Sequence, residues 1–328
     1  MLKTQTINWQ KDMKNMNSTD IEKLCDDWCL ASTTAEDNIE LGTHTEKYRL
    51  LQNGIIFHEL DHETLCAAVI GLSKVILRPG LHSVIDKDHT ELWSWCAEIL
   101  VGRESNMFSR AQMEIENLYK TAFHAALAHC GAPTGQGNGP AWAYNIQKNF
   151  PHHAQQLIFD SSLVLAYLVF PLLEAILKRA CAKYLTFDGK IILAFSVTTR
   201  YGKIKNYDPR GGKFGYPQCS SMRDMLFLHY NFIADPHLKY LLDKFLAHLS
   251  SINNSEDPFD MIYDWRNQSL HGSANFATIG GTVLNLSILI SLFEIKKSYE
   301  ELRQRTIERF TWNVDSPVKA PWSFYPLS

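Results

Sequence analysis

The chain has 328 residues, 45% of them hydrophobic and 20% charged, so it can bury a large core and is long enough for two domains. The net charge of −3 is uneven, because residues 1–130 carry −7 and the remainder +4, and an anionic ligand is therefore expected to bind the second half. Seven cysteines without a dense framework exclude a disulfide-stapled secreted domain and indicate a reducing compartment.

The first 130 residues have the pattern of a helical domain. Thr19-x-x-Glu22 is a capping box ahead of apolar residues at helical spacing, and further helices are expected at 45–52, 61–77, 89–101 and 109–130. Residues 1–17 are polar and lack the apolar segment of a signal peptide. The longest apolar run, 163–173, is too short to span a bilayer. We expect a soluble cytoplasmic protein with no membrane partner and an N-terminal domain of unassigned role.

Within this region, residues 58–62 spell the H-E-x-x-H signature of zinc proteases, with His58 and His62 as ligands and Glu59 as general base. Asp61 occupies a position that such helices keep apolar, and Asn53-Gly54 lies just ahead, so the motif straddles a helix start. The nearby sequence supplies no third ligand at a recognisable spacing. A zinc hydrolase is therefore only the second alternative for the function.

Residues 131–140 contain four Gly and two Pro and are interpreted as a linker to a second domain at 141–328. A long helix is expected from Asp160 to Tyr184, and Glu174 lies in its apolar region. A short strand is expected at 190–198. Helices are expected at 220–233 and 237–250, then from Pro258, and finally over 276–309.

Residues 200–216 combine basic and aromatic side chains with four glycines. Basic groups bind phosphates and aromatic rings stack on bases, so this loop suits single-stranded RNA. The alternative is a solvated hairpin or an ordered crossover between helices. The residues expected to contact RNA are Arg200, Tyr201, Lys203, Lys205, Tyr207, Arg210 and Lys213.

The helix that follows Asp257-Pro258 carries the most informative motif. On a helical wheel, Arg266 falls in the middle of its apolar stripe, whereas Asn267 and His271 share one flank. A guanidinium on an apolar face needs an anionic partner, either a carboxylate of the protein or a phosphate of a ligand. Glu174 is the expected carboxylate.

The sequence Arg266-Asn267-x-x-x-His271-Gly272 resembles the R-x4-6-H signature of the HEPN superfamily. The resemblance covers residues 160–310 and implies a bundle of four or five helices, here with a small irregular or β-hairpin insertion. The fold class expected for the whole chain is therefore all-α. Many HEPN domains are metal-independent ribonucleases that form homodimers with a composite active site, and some act as toxins or in anti-phage defence. An N-terminal domain would then sense a trigger or restrain the nuclease through a regulatory partner.

This resemblance implies catalytic roles for three residues. His271 would act as acid or base, Arg266 would contact the phosphate, and Asn267 would orient the imidazole, with neither metal nor cofactor. The products would carry a 2′,3′-cyclic phosphate and a 5′-hydroxyl. The first alternative is a non-catalytic module that binds nucleotides or proteins, in which Arg266 pairs with Glu174 or Asp264 and His271 ends the helix.

Overall fold

The computed structural model describes residues 16–36, 40–77, 85–130, 151–253, 256–270, 276–315 and 324–325. These residues are mostly helical, with one small antiparallel sheet, which confirms the all-α prediction. The helices are α1 (Ser18–Ala31), α2 (Thr43–Glu46), α3 (His62–Ile76), α4 (Lys87–Val101), α5 (Met113–Cys130), α6 (His152–Phe159), α7 (Ser161–Ala180), α8 (Met222–Leu228), α9 (Pro236–Ser250), α10 (Pro258–Leu270), α11 (Phe276–Ile295) and α12 (Tyr299–Asp315).

Several helices begin where local capping chemistry places them. Asp61 accepts a hydrogen bond from the Thr64 amide at 2.8 Å and starts α3. Asp235 does the same for the Leu238 amide at the start of α9, where proline is the first helical residue. Such side chains satisfy amides that have no partner within the helix.

The helix α11 lies at the centre of the molecule, packed against α7 and α3. A Cβ atom on Gly280 would lie 3.0 Å from Leu165 of α7, and one on Gly281 would lie 3.0 Å from Ile76 of α3, so both glycines permit close approach. Asn285 is fully buried on α11 and accepts a hydrogen bond from Trp93 Nε1 at 2.7 Å. Its own amide donates to Ser73 Oγ at 2.9 Å.

One hydrophobic cluster contains helices from both sides of the predicted domain boundary. The hydrogen bonds of Asn285 cross that boundary, as does the 3.3 Å contact between Tyr119 Oη and Ser291 Oγ. The predicted linker at 131–140 lies outside the described residues, and the division into two domains stays a prediction.

A β-hairpin interrupts the helices between α7 and α8. Strand β1 (Phe195–Thr198) pairs antiparallel with β2 (Ile204–Tyr207), so that Phe195 lies opposite Tyr207 and Thr198 opposite Ile204. Gly202 has φ of 72° in the connecting turn, a conformation that side chains with a Cβ rarely adopt. The expected short strand is thus half of a hairpin.

Two apolar helical stretches, Ser161–Ala180 and Phe276–Arg309, are long enough to cross a membrane by length and composition. Within the protein, 56% of the first window and 78% of the second are buried. The core helices of a soluble protein are buried in this way, so the two stretches are consistent with a soluble protein.

Candidate functional site

The helix α10 directs two polar side chains of the motif region toward α5 and α7. Arg266 and Ser269, three residues apart and therefore on one face, both line a cavity between these helices. Asn267 is half-buried and is turned about 100° around the helix axis from Arg266. His271 lies beyond the end of α10 and outside the described residues.

The cavity has a volume of about 650 Å³ and is mainly apolar. One wall is a single face of α7, where residues at helical spacing run from Tyr167 to Lys178. The first turns of α5 form the opposite wall, and Phe187 lies at the edge. The cavity is thus formed by three helices and one loop together, so the sequence pattern of any one helix does not predict it.

Glu174 does not pair with Arg266, although both line the cavity. Its Oε1 atom lies 2.8 Å from Lys178 Nζ, four residues later on the same helix. A pair at this spacing joins two adjacent turns of one helix and does not depend on how α10 packs against α7. Across the part of the chain that the structure describes, the Arg266 guanidinium forms no salt bridge and no hydrogen bond.

Ser269 is the second residue of α10 that lines the cavity. The residue is 1% exposed, and its buried Oγ atom has no hydrogen-bond partner among the described residues. A buried hydroxyl without a partner is costly by about 1–3 kcal/mol. The Ser269 hydroxyl is thus enclosed by protein, whereas the half-buried Arg266 is the polar residue of α10 that is able to bind a group entering the cavity.

The predicted RNA-binding hairpin is fixed to the other side of α10. Buried Arg223 donates from Nε to Asp260 of α10 at 2.5 Å and from Nη1 to the Thr198 carbonyl of β1 at 2.7 Å. At the hairpin turn, Arg200 lies 3.7 Å from Asp264. Asp264 is about 200° around the helix from Arg266, so hairpin and cavity lie on different faces of α10.

The hairpin residues expected to bind RNA differ in their accessibility. Lys203 and Lys213 are exposed and, in the described part of the chain, have no ion pair, so their charges are available to phosphates. Tyr201 is 78% exposed beside the Arg200 guanidinium. Arg210 is exposed but binds Asp208 through two hydrogen bonds of 2.8 and 2.9 Å, which hold the pKa of that carboxyl at about 2.

Tyr207 and Lys205 have roles in packing the hairpin. Tyr207 is 1% exposed and donates its hydroxyl proton to Asp224 at 2.7 Å; burial raises the pKa of this phenol. Lys205 Nζ lies 2.9 Å from the same carboxylate. A base cannot stack on a ring that is enclosed in this way. In this conformation Tyr207 therefore cannot contact RNA as predicted.

The histidines of the H-E-x-x-H sequence do not share a helical face. His58 lies in a 3-10 turn, Leu60 is extended, and His62 begins α3. His62 Nε2 lies 3.0 Å from the Leu292 carbonyl, and His58 Nδ1 lies 3.4 Å from Tyr325 Oη. In the described ranges, no three His, Cys, Asp or Glu side chains are placed to hold a metal ion together. The geometry required for the zinc alternative is therefore missing.

Among the residues that line the cavity, Tyr167, Lys178, Phe187 and Ser269 were not assigned to a site from the sequence. Tyr167 and Lys178 share the helical face of Glu174, which was singled out, so their spacing from Glu174 was an available signal. Phe187 lies in a loop, where spacing carries no such information.

No family model matches the chain, and neither does a curated protein or a solved structure.

Proposed function

We propose that the protein is a metal-independent endoribonuclease of the HEPN type, in which Arg266 binds the scissile phosphate. One observation carries the proposal: in the described chain the Arg266 guanidinium has no anionic partner, yet it lines a cavity large enough for a ligand. A half-buried cation in this position favours an anion from outside the protein.

The chemistry is a transfer of the phosphodiester within the RNA. The 2′-oxygen forms a bond to phosphorus while the bond from phosphorus to the 5′-oxygen breaks. A base removes the 2′-hydroxyl proton, and an acid gives a proton to the departing 5′-oxygen. His271 has one of these roles, and Arg266 stabilises the negative charge on the phosphorane. Asn267 orients the imidazole.

A single motif supplies one histidine, whereas the reaction uses both an acid and a base. A homodimer that brings two motifs to one cleft would supply the second histidine. The exposed cations Lys203 and Lys213, with Tyr201, would hold the flanking RNA. By analogy with HEPN nucleases, the activity would serve as a cytoplasmic toxin or in anti-phage defence, restrained by the N-terminal helices.

The second candidate is a module that binds a nucleotide without cleaving RNA. The size of the cavity favours it, since about 650 Å³ lies in the range of small-molecule sites, roughly 300–1,000 Å³. This candidate needs Arg266 but not His271, which separates the two functions by mutation.

The test is to incubate the purified full-length protein with total RNA, with and without EDTA, and to map the ends of the fragments. We expect cleavage that EDTA leaves unchanged, with 2′,3′-cyclic phosphate and 5′-hydroxyl ends. Arg266→Ala should slow cleavage by about 10²- to 10³-fold, the usual cost of removing a preorganised group that stabilises a transition state. His271→Ala should slow it at least as much.

The matched control is Arg305→Ala, because Arg305 is an exposed arginine on α12 whose only partner in the described chain is Glu301 at 3.8 Å. This variant should cleave RNA at the wild-type rate. If wild type cleaves no RNA yet binds nucleotides through Arg266, the second candidate replaces the first. Cleavage that survives both site substitutions would refute the assignment of the active site.

A further inference from the structure

The walls of the Arg266 cavity are suited to a flat apolar group. Phe170 is 3% exposed and Ile115 6% exposed, and both line it, together with small residues such as Ala166. Small side chains on facing helices leave a gap that packing would otherwise fill. At about 650 Å³, the cavity exceeds the size expected for packing defects and lies within the range of ligand sites.

Two aromatic rings at the cavity are exposed to solvent. Tyr167 on α7 is 41% exposed, and Phe187 in the loop after α7 is 56% exposed. Lys178 Nζ lies 5.7 Å from the centre of the Phe187 ring. Exposed aromatic side chains beside an apolar cavity favour a stacked planar ligand, because they gain contact area at a small cost in conformational entropy.

The polar groups of the cavity suit a nucleotide better than an alkyl chain. Arg266 offers a cation that has no ion pair and no hydrogen bond among the residues that the structure describes. On the α7 wall, Glu174 and Lys178 place an acceptor and a donor near the Phe187 ring. An alkyl chain would bury these charges without binding them, whereas the edge of a nucleobase can hydrogen-bond to both.

We infer that this cavity binds the base of one nucleotide in single-stranded RNA, stacked against Tyr167, while Arg266 holds the adjoining phosphate. The cavity then determines which base stands beside the cleaved bond. This inference rests on the proposed nuclease function for its role in cleavage, but the binding of a nucleotide can be measured without any cleavage.

The test combines two variants with one control. Tyr167→Ala removes the exposed ring and leaves the core intact, whereas Ala175→Leu adds volume inside the cavity, which Ala175 lines. The control is Tyr240→Ala, because Tyr240 is 55% exposed on α9 and does not line the cavity. Circular dichroism and thermal melting verify that each variant is folded.

Binding is measured by calorimetry with the four nucleoside 3′-monophosphates. We expect wild type to bind at least one of them. Tyr167→Ala should weaken this binding about 5- to 140-fold, the range that corresponds to roughly 1–3 kcal/mol for a stacked base. Ala175→Leu should weaken it as well, and Tyr240→Ala should leave it unchanged. Failure of wild type to bind any of the four overturns the inference, as does wild-type affinity in both cavity variants. Binding of dodecanoate in preference to every nucleotide would overturn it as well.

The second readout is the base composition at mapped cleavage sites. Wild type should prefer certain bases at one position, and both cavity variants should lose this preference while still cleaving RNA. An unchanged preference in both variants overturns the inference and leaves the nuclease proposal intact. Nucleotide binding that depends on Tyr167, in a protein that cleaves no RNA, supports the inference and refutes the nuclease proposal.

Discussion

Replacing Arg266 with glutamine should separate activity from stability. In the wild-type structure this half-buried guanidinium has no salt bridge to any residue that the structure describes, so its removal breaks no ion pair. We expect the free energy of unfolding to change by less than about 0.5 kcal/mol, as for substitutions outside specific interactions. Cleavage should fall by about 10²- to 10³-fold, because the transition state loses its cation.

Arg179→Gln is the matched comparison, because Arg179 lies close to the same cavity and has partners. Its guanidinium donates to Glu294 at 2.6 Å and to Gln112 at 2.7 Å. Burial raises the pKa of Glu294, so the carboxylate depends on this arginine for its charge. Losing a charge-assisted hydrogen bond costs about 1.5–3 kcal/mol. Arg179→Gln should therefore lower stability by that amount and leave cleavage by the folded fraction unchanged.

Equilibrium unfolding in urea gives the stability of both variants, and single-turnover cleavage of a labelled oligonucleotide gives their activity. The two arginines should show opposite patterns. If Arg266→Gln lowers stability by more than about 1.5 kcal/mol and retains cleavage, then Arg266 is a structural residue. That result would refute the reasoning on which the proposed site depends.

Three further predictions concern the buried polar groups. Arg223→Met should lower the free energy of unfolding by about 3–5 kcal/mol, because it leaves Asp260, 4% exposed, as an uncompensated buried charge. Adding Asp260→Asn should restore part of the lost free energy of unfolding, measured with urea. If the destabilisations of the two single variants simply add in the double variant, this explanation is wrong. Asn285→Ala should cost about 1–3 kcal/mol in the same assay, since Trp93 Nε1 loses its acceptor, and an unchanged midpoint would contradict it. Burial lowers the pKa of His229 to about 4, so unfolding takes up a proton between pH 6.5 and 4 and stability falls across that window as the pH decreases, by up to about 3 kcal/mol. His229→Leu should flatten this part of the pH profile of stability, and an unaltered slope would assign it to other groups.

The parts of the fold that depend on neighbouring residues could be predicted from the sequence. The start of α3 at His62, after its cap Asp61, follows from a hydrogen bond that spans three residues. The start of α10 at Pro258 follows in the same way from Asp257, whose carboxylate accepts from the Phe259 amide at 2.8 Å. Chemistry of this kind is encoded within one turn of helix, so it is visible without a three-dimensional structure.

The partners of Arg266 could not be predicted in this way. The sequence placed its guanidinium on an apolar face and suggested Glu174, but pairing across helices depends on distances that no spacing rule gives. In the structure, Glu174 forms its ion pair with Lys178, one turn further along α7. The cavity beside Arg266 needs α5, α7 and α10 together, so it has no signature in any single segment.

The burial of Tyr207 shows a second limit of the sequence pattern. An alternation of basic and aromatic residues is the same whether a ring faces solvent or the protein. The pairing of β1 with β2 determines that the Tyr207 ring faces the protein. It places Tyr207 opposite Phe195, and the centres of the two stacked rings lie 4.7 Å apart. Tyr201 lies in the turn and remains exposed.

The central position of α11 has a consequence for synthesis on the ribosome. About 220 residues separate the end of α3 at Ile76 from the end of α11 at Ile295, and translating them takes on the order of 10–45 s at ~5–20 residues per second. Throughout that interval the nascent α3 can pack against α1, but it has not yet received α11, which covers another part of its apolar surface. We expect the emerging chain to need protection by chaperones until that late segment arrives.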